Sequence, residues 1–248
     1  MITLRSKREI EKIRAANQIV SEVLKYLQEV VKPGISTIEL DHIAEKLIKK
    51  RGAIPAFKGY AGFPSSLCAS VNEVIVHGIP SKDIILVEGD IISLDVGAKL
   101  NGYFGDAALT VPVGKVSSEA KRLMQVTRES LEEGIRSAWP DEHLFTLSNK
   151  IQRYVESQGY AVVRDFVGHG IGTQLHEEPQ VPNYGVAGTG MRLKVGLVIA
   201  IEPMVNVGTY EVDVLTDGWT AVTRDRKLSA HFEHTIAITD NGPDILSL

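Results

Sequence analysis

One cysteine, Cys68, is all this sequence of 248 residues carries, so an internal disulfide framework is excluded and a reducing compartment suits it best. No apolar run approaches the ~20 residues needed to span a bilayer. The opening residues, Met1-Ile-Thr-Leu-Arg-Ser-Lys-Arg-Glu9, are too charged for a secretory leader. Positive charge is not in excess either: 27 Lys+Arg stand against 31 Asp+Glu, a net −4, which gives no general attraction to phosphate backbones or anionic membranes. No G-x-S-x-G elbow of a serine hydrolase occurs, and the glycines from Gly185 to Gly190 lack the spacing of a nucleotide loop. A lone intracellular cysteine is more often packing than nucleophile. What remains is a soluble, cytoplasmic globular chain, with 44% hydrophobic residues and enough length for a large core.

Four helices are legible. Ser6 and Glu9 form a capping-box pattern ahead of Ile10, Ile13, Ala16, Val20, Leu24, Leu27 and Val31 at helical spacing, and Pro33-Gly34 stops the run. Ser36 and Glu39 repeat the box for a second helix ending at Gly52. A third is predicted from about Ser118 to Ile135, and a fourth from Pro140 to Gly159. Strand-like segments follow each pair, at 71–76, 91–98 and 103–113, then 161–165, 196–206, 210–215, 220–224 and 231–239. Helices clustered before strands, with tight hairpins, predict an α+β fold with a mainly antiparallel sheet. Pro33 and Pro140 lie 107 residues apart, as do Gly52 and Gly159, and as do Asp95 and Glu202. Coincidence accounts for so few matches, and so does an ancient duplication whose halves meet across a pseudo-twofold axis. With no linker between them, the halves (about 1–113 and 114–248) read as one domain, 1–248.

Asn101-Gly102 is the strongest short hairpin signal, a type I′ turn. It pairs Leu100 with Tyr103, so Asp95 falls opposite Ala108 and Asp106 opposite Gly97. The two aspartates then share a face as diagonal neighbours, with Cα atoms roughly 7–8 Å apart. Either alone would ordinarily decorate a solvent face. Held together on an apolar strand pair they repel, unless a cation lies between them. Three further residues fit such a site. His169 lies between glycines in Gly168-His169-Gly170-Ile171-Gly172. Glu202 ends the apolar run Val198-Ile-Ala-Ile, and Glu233 opens a similar strand. Carboxylates in such strands are buried, hence paired or metal-bound, and neither strand offers an obvious Arg or Lys. Two Asp, two Glu and one His suit Mn, Co or Fe(II), with Zn acceptable. Four carboxylates exceed the needs of one ion and serve a pair roughly 3.5–4 Å apart, whose bridging water becomes hydroxide near neutral pH. Glu202 or Glu233 is then positioned to act as general base.

The segments Asn72-Glu-Val-Ile-Val-His77-Gly-Ile-Pro80, Ser93-Leu-Asp95-Val, Asn101-Gly-Tyr-Phe-Gly-Asp106, Gly168-His169-Gly170-Ile-Gly172, His176-Glu-Glu-Pro179, Ile201-Glu202-Pro203-Met204 and Ser229-Ala-His-Phe-Glu233-His234-Thr235 closely resemble the type I methionine aminopeptidases, in order and over essentially the whole chain. The resemblance implies the pita-bread fold, an antiparallel sheet core in pseudo-twofold halves with helices outside. It implies removal of the initiator methionine from nascent polypeptides whose second residue is small, by a metal-bridging hydroxide. It assigns Asp95 to one of two ions, Asp106 and Glu233 as bridges, and His169 and Glu202 to the second ion, with Glu202 as proton shuttle. It places His77 beside the scissile amide and His176 on the developing oxyanion. Tyr60, Phe63, Cys68 and Trp219 correspond to the methionine pocket, although an aromatic pair serves equally as core. Phe63 stands where the family commonly has Tyr. Transient ribosome association and a monomer are further implications.

Two comparisons narrow the subtype to the minimal bacterial form. Only 33 residues separate His169 from Glu202, short of the insertion that type II enzymes carry there, and no cysteine-bearing zinc extension is present. Prolidases and aminopeptidase P resemble this chain in the five ligands but usually carry an added N-terminal domain. Non-catalytic relatives tend to lose ligands, and all five stand here.

Overall fold

The computed structural model describes residues 2–248. Helix α1, Lys7–Val30, starts at the expected box, with the Ser6 N–H donating to Glu9 Oε2 at 2.9 Å. Helix α2, Thr37–Lys50, repeats the device through Ser36 and Glu39, also at 2.9 Å. Helices α3, Ser118–Arg136, and α4, Leu144–Ser157, follow. Gly52 and Gly159 lie just beyond α2 and α4 at φ 72° and 82°, the left-handed turn that releases a chain from a helix.

All strand pairings are antiparallel, and the main sheet has nine strands. Its centre is the hairpin Ile91–Leu100 and Tyr103–Pro112, turning at Asn101 and Gly102 with φ 50° and 85°. Register is as the turn dictates: Leu100 faces Tyr103, Asp95 faces Ala108, and Gly97 faces Asp106. Along one edge of the hairpin runs Leu67–Val71; along the other runs Glu233–Thr239, which pairs Glu233 with Ala108 and then continues to Val198–Ile201. Beyond lie Gly168–Gly170 and Glu177–Val181. Helix α4 begins 107 residues after α2 and both have 14 residues. The two-residue strands Ile54–Pro55 and Ala161–Val162 share that offset, as do the starts of Ile91–Leu100 and Val198–Ile201.

Several predicted strands are broken in the structure. The segment 71–76 divides at Asn72, whose φ of 53° and side-chain bonds to Asp90 and to the Ile91 N–H turn the chain, so Val74–Val76 joins Ala221–Thr223 instead. The segment 196–206 divides at Pro203, which has no N–H for a ladder, leaving Glu202 in the gap. At Phe232 the chain passes from Ser229–His231, paired with Met204–Asn206, into the main sheet. The strands Gly168–Gly170, Glu177–Val181 and Gly242–Ile245 were not anticipated. Glycine, glutamate and proline are poor strand formers, and tertiary pairing overrides them here.

Two buried clusters hold helices to the sheet. Val20, Leu24 and Leu27 of α1 and Leu40 and Ile48 of α2 pack on Leu94, Val96 and Val111 of the hairpin. Leu131 of α3 and Leu147 and Ile151 of α4 pack on Ile199, Ile201 and Ile236. Contact between α1 and the hairpin is tight at Gly105, where a Cβ would lie 2.5 Å from the Asn17 backbone nitrogen. Gly105→Ala should therefore push α1 off the strand and destabilise by about 1–3 kcal/mol. Thermal unfolding should register it as roughly 2–4 °C per kcal/mol; an unchanged midpoint would contradict this packing.

Candidate active site

Asp95 and Asp106 project from the same face of the hairpin into a cavity of about 220 Å³, and His169, Glu202 and Glu233 line it with them. One ligand atom each from Asp106, His169 and Glu233 falls within a mutual 4.8 Å. His169 Nε2 lies 4.0 Å from Asp106 Oδ2 and 3.7 Å from Glu202 Oε1. Its Nδ1 meets the Gly170 carbonyl at 2.9 Å, so an Nδ1–H donated there leaves the Nε2 lone pair facing the carboxylates. Asp106 and Glu233 are only 3% and 2% exposed. Local structure fixes both main-chain polar groups of Asp106. Its N–H donates to Asn17 Oδ1 of α1 at 3.2 Å, and its carbonyl accepts from Thr235 Oγ1 at 2.7 Å.

Electrostatically the cluster is unstable as four free anions. Burial raises Asp95 to about 7, with only the Asp106 contact pulling the other way. Burial first, and then repulsion from Asp95 and Glu202, lifts Asp106 well above the ordinary carboxylate range. Glu202 is raised by burial and by Asp95, and Glu233 by burial and by Asp106, Glu202 and Asp95. The imidazoles move the other way: burial lowers His169 to about 3 and His77 to about 4, and lowers His176 too. Neutral imidazole and displaced carboxylates are the state in which cation ligands wait.

The remaining predicted residues meet at the same cavity: His77, His176, Tyr60, Phe63, Cys68 and Trp219 all line it. His176 stacks edge-on against His169 with ring centroids 4.3 Å apart, and its Nδ1 lies 2.7 Å from the Tyr60 hydroxyl. Tyr60 is therefore more than a wall of the pocket. The loop bearing His176 is anchored by Glu177, whose carboxylate accepts from Arg5 and from the Thr173 and Gln174 N–H groups at 2.6, 2.8 and 3.0 Å. His77, at φ 58°, packs edge-on to Phe166 and Trp219, and Phe63 meets Trp219 at 5.2 Å. Cys68 lies buried opposite Asp95, its thiol pushed well up by burial and the surrounding acids.

Sequence reading missed three contributors. Phe166 extends the aromatic wall. Asn17 looks like an interruption in the apolar face of α1, and its burial beside Asp106 explains it. His231, 1% exposed, brings Nε2 to 3.6 Å from Glu202 Oε2. Its position two residues from Glu233 was the available signal, since alternate residues of an extended chain share a face.

The profile of metallopeptidase family M24 matches residues 11–240. A methionine aminopeptidase of Clostridium acetobutylicum is 55% identical over 248 residues, covering 100% of this chain and 99% of that protein. Among solved structures, a methionine aminopeptidase from Thermotoga maritima superposes with a TM-score of 0.98 at 48% identity, covering 100% of this chain and 99% of the other. A prolidase from Pyrococcus furiosus superposes at 0.80 with 25% identity, covering 99% of this chain and 65% of its own. The sheet and its outer helices are thus the pita-bread fold that the motifs implied. The chain belongs to metallopeptidase family M24, in its methionine aminopeptidase branch.

Proposed function

We propose that the chain removes the N-terminal methionine from polypeptides whose second residue is small, using a pair of divalent ions. The observation that carries this reading is the convergence of four carboxylates, two of them buried, and the His169 imidazole on a cavity whose other walls are largely aromatic and apolar. A metal centre fits the donors. Asp95 Oδ1, Asp106 Oδ1 and Glu233 Oε1 are buried without a hydrogen-bond partner, and uncompensated buried carboxylate oxygens call for cations. Asp95 would hold one ion, Asp106 and Glu233 would bridge, and His169 and Glu202 would complete the second. Oxygen-rich donors suit Co, Mn or Fe(II), with Zn acceptable. When bound, such ions acidify a water and polarise a carbonyl.

The side chains supply the rest. Glu202 accepts the proton of the attacking water and returns it to the leaving amine. Tyr60 donating to His176 Nδ1 keeps the imidazole proton on Nε2, whose N–H donates a hydrogen bond to the carbonyl oxygen as charge develops. His77 lies beside the scissile amide. Phe63, Trp219, Tyr60 and Cys68 receive the methionine side chain, whose flexible thioether suits aromatic walls. The unit is one catalytic domain, with lobes of about 1–113 and 114–248 joined where Tyr103–Pro112 meets Glu233–Thr239. We further read it as a cytoplasmic monomer meeting nascent chains transiently at the ribosome; no described helix is long and apolar enough to cross a membrane.

Peptides beginning Met-Ala or Met-Gly should be cleaved and Met-Lys should not, in a panel varying the first two residues beside a metal-content measurement. Cleavage of X-Pro peptides instead would assign the chain to the prolidase group. Exhaustive chelation should abolish turnover and Co or Mn should restore it; activity surviving metal removal would sink the mechanism. His176→Ala should lower kcat about 10²–10³-fold, as loss of an oxyanion donor does.

Stability of the metal-free protein should also depend on pH in a stated direction. The buried histidines, depressed from 6.5, contribute stability that grows with pH up to about 6.5 and is constant above it. The carboxylates are raised, so they hold protons that the unfolded chain has already released; the Asp95 contribution is lost as pH rises through about 7, and those of Asp106, Glu202 and Glu233 shift in the same direction. Thermal midpoints of chelated protein should fall from pH 6.5 to pH 8, and excess Mn should flatten the decline. A metal-free midpoint rising over that window would contradict the assigned burial.

A further inference from the structure

One buried polar group is left over by that reading. His231 Nε2 is enclosed and has no hydrogen-bond partner, although it ends 3.6 Å from Glu202 Oε2. The other oxygen of Glu202 faces His169 at 3.7 Å, so the carboxylate lies between two imidazoles of different standing. His169 has its Nδ1 on the Gly170 carbonyl and is a candidate ligand, so its Nε2 has no proton to give. His231 is outside that ligand group and is free to donate.

The backbone of His231 is held unusually firmly. Its N–H donates to Thr110 Oγ1 at 2.9 Å, and the Thr110 hydroxyl donates to its carbonyl at 2.8 Å. That uses the single Thr110 proton, so Ser93, 2.8 Å away on the paired hairpin strand, donates to Thr110 in turn. The hydroxyls of Ser93 and Thr110 thus tie His231 to the strands that carry Asp95 and Asp106. With the His231 main chain held and its ring enclosed, 3.6 Å is a gap that a small side-chain rotation closes to hydrogen-bond length.

We infer that His231 is a positioning residue: its Nε2–H holds the outer oxygen of Glu202, so that only the inner oxygen is presented to the metal centre and the proton it must carry. This rests on the functional reading above. Outer partners that orient a ligating group through a hydrogen bond act on metal affinity and turnover together.

The test compares His231→Leu, which removes the donor, with His231→Gln, which keeps an N–H on a side chain of similar reach. Each full-length protein is titrated with Co(II) by calorimetry, its visible absorption is recorded, and Met-Ala peptide kinetics are measured. His231→Leu should weaken Co(II) binding and lower kcat, each about tenfold or more, with an altered visible spectrum and KM for peptide within about twofold. His231→Gln should recover kcat to within about threefold and restore the spectrum of the unsubstituted protein. Equal loss in both variants, or loss in neither, overturns the proposal. If His231→Leu does not fold, His231→Gln alone decides: retained spectrum and kcat support the role, and loss of either in a folded protein overturns it. Failure of the unsubstituted protein to bind Co(II) or release methionine would sink the functional reading and the proposal with it, whereas the variant outcomes above overturn the proposal alone.

Discussion

Four carboxylates share one cavity, and the described side chains around them supply no Lys or Arg partner that would let all four be charged together. Isolated buried charge is heavily disfavoured, and among the described residues no Lys or Arg forms an ion pair with Asp95, Asp106, Glu202 or Glu233. The charge balance of the fold is therefore completed from outside it. The hairpin, the seam between Tyr103–Pro112 and Glu233–Thr239, and the break at Pro203 all serve to keep these acids together against their mutual repulsion.

Holding them takes a shell of neutral polar groups acting on main-chain atoms. Asn17 and Thr235 fix the peptide of Asp106 from opposite sides, one from a helix and one from the neighbouring strand. Asn183 Nδ2 donates to the carbonyl of Glu202 at 3.0 Å, and Thr110 clamps the chain just before Glu233. Gripping the backbone leaves the carboxylate oxygens uncommitted, which is the requirement for ligands. A buried amide or hydroxyl here contributes more to geometry than to net stability, since a satisfied hydrogen bond is worth only about 0.5–1.5 kcal/mol.

How far the sequence disclosed this depended on the range of the interaction. Capping boxes at Ser6 and Ser36 operate over three residues, and both helices begin as read. The Asn101-Gly102 turn fixes register by local dihedral angles, so the pairing of Asp95 with Ala108 was available without knowing anything else about the fold. Proline at 203 was visible, but its consequence was not: a run read as one strand is two, and Glu202 owes its freedom to the gap. Gly168–Gly170 is a strand only because Glu177–Val181 and Val198–Ile201 flank it, and no local preference announces that. Asn17 and His231 were passed over for a similar reason. Each answers to a partner far along the chain, 89 residues away for Asn17 and 121 for the Thr110 contact of His231.

The contact between Tyr60 and His176 joins two loops 116 residues apart in sequence. Tyr60 faces the pocket with its ring and His176 with its hydroxyl, so a single side chain answers to both the apolar and the polar half of whatever enters. For inhibitor chemistry this makes the phenol a handle separate from the carboxylate cluster. A compound that captures the Tyr60 hydroxyl takes from His176 the partner of its Nδ1, and does so without a chelating group, the feature that usually sacrifices selectivity among metal-dependent targets.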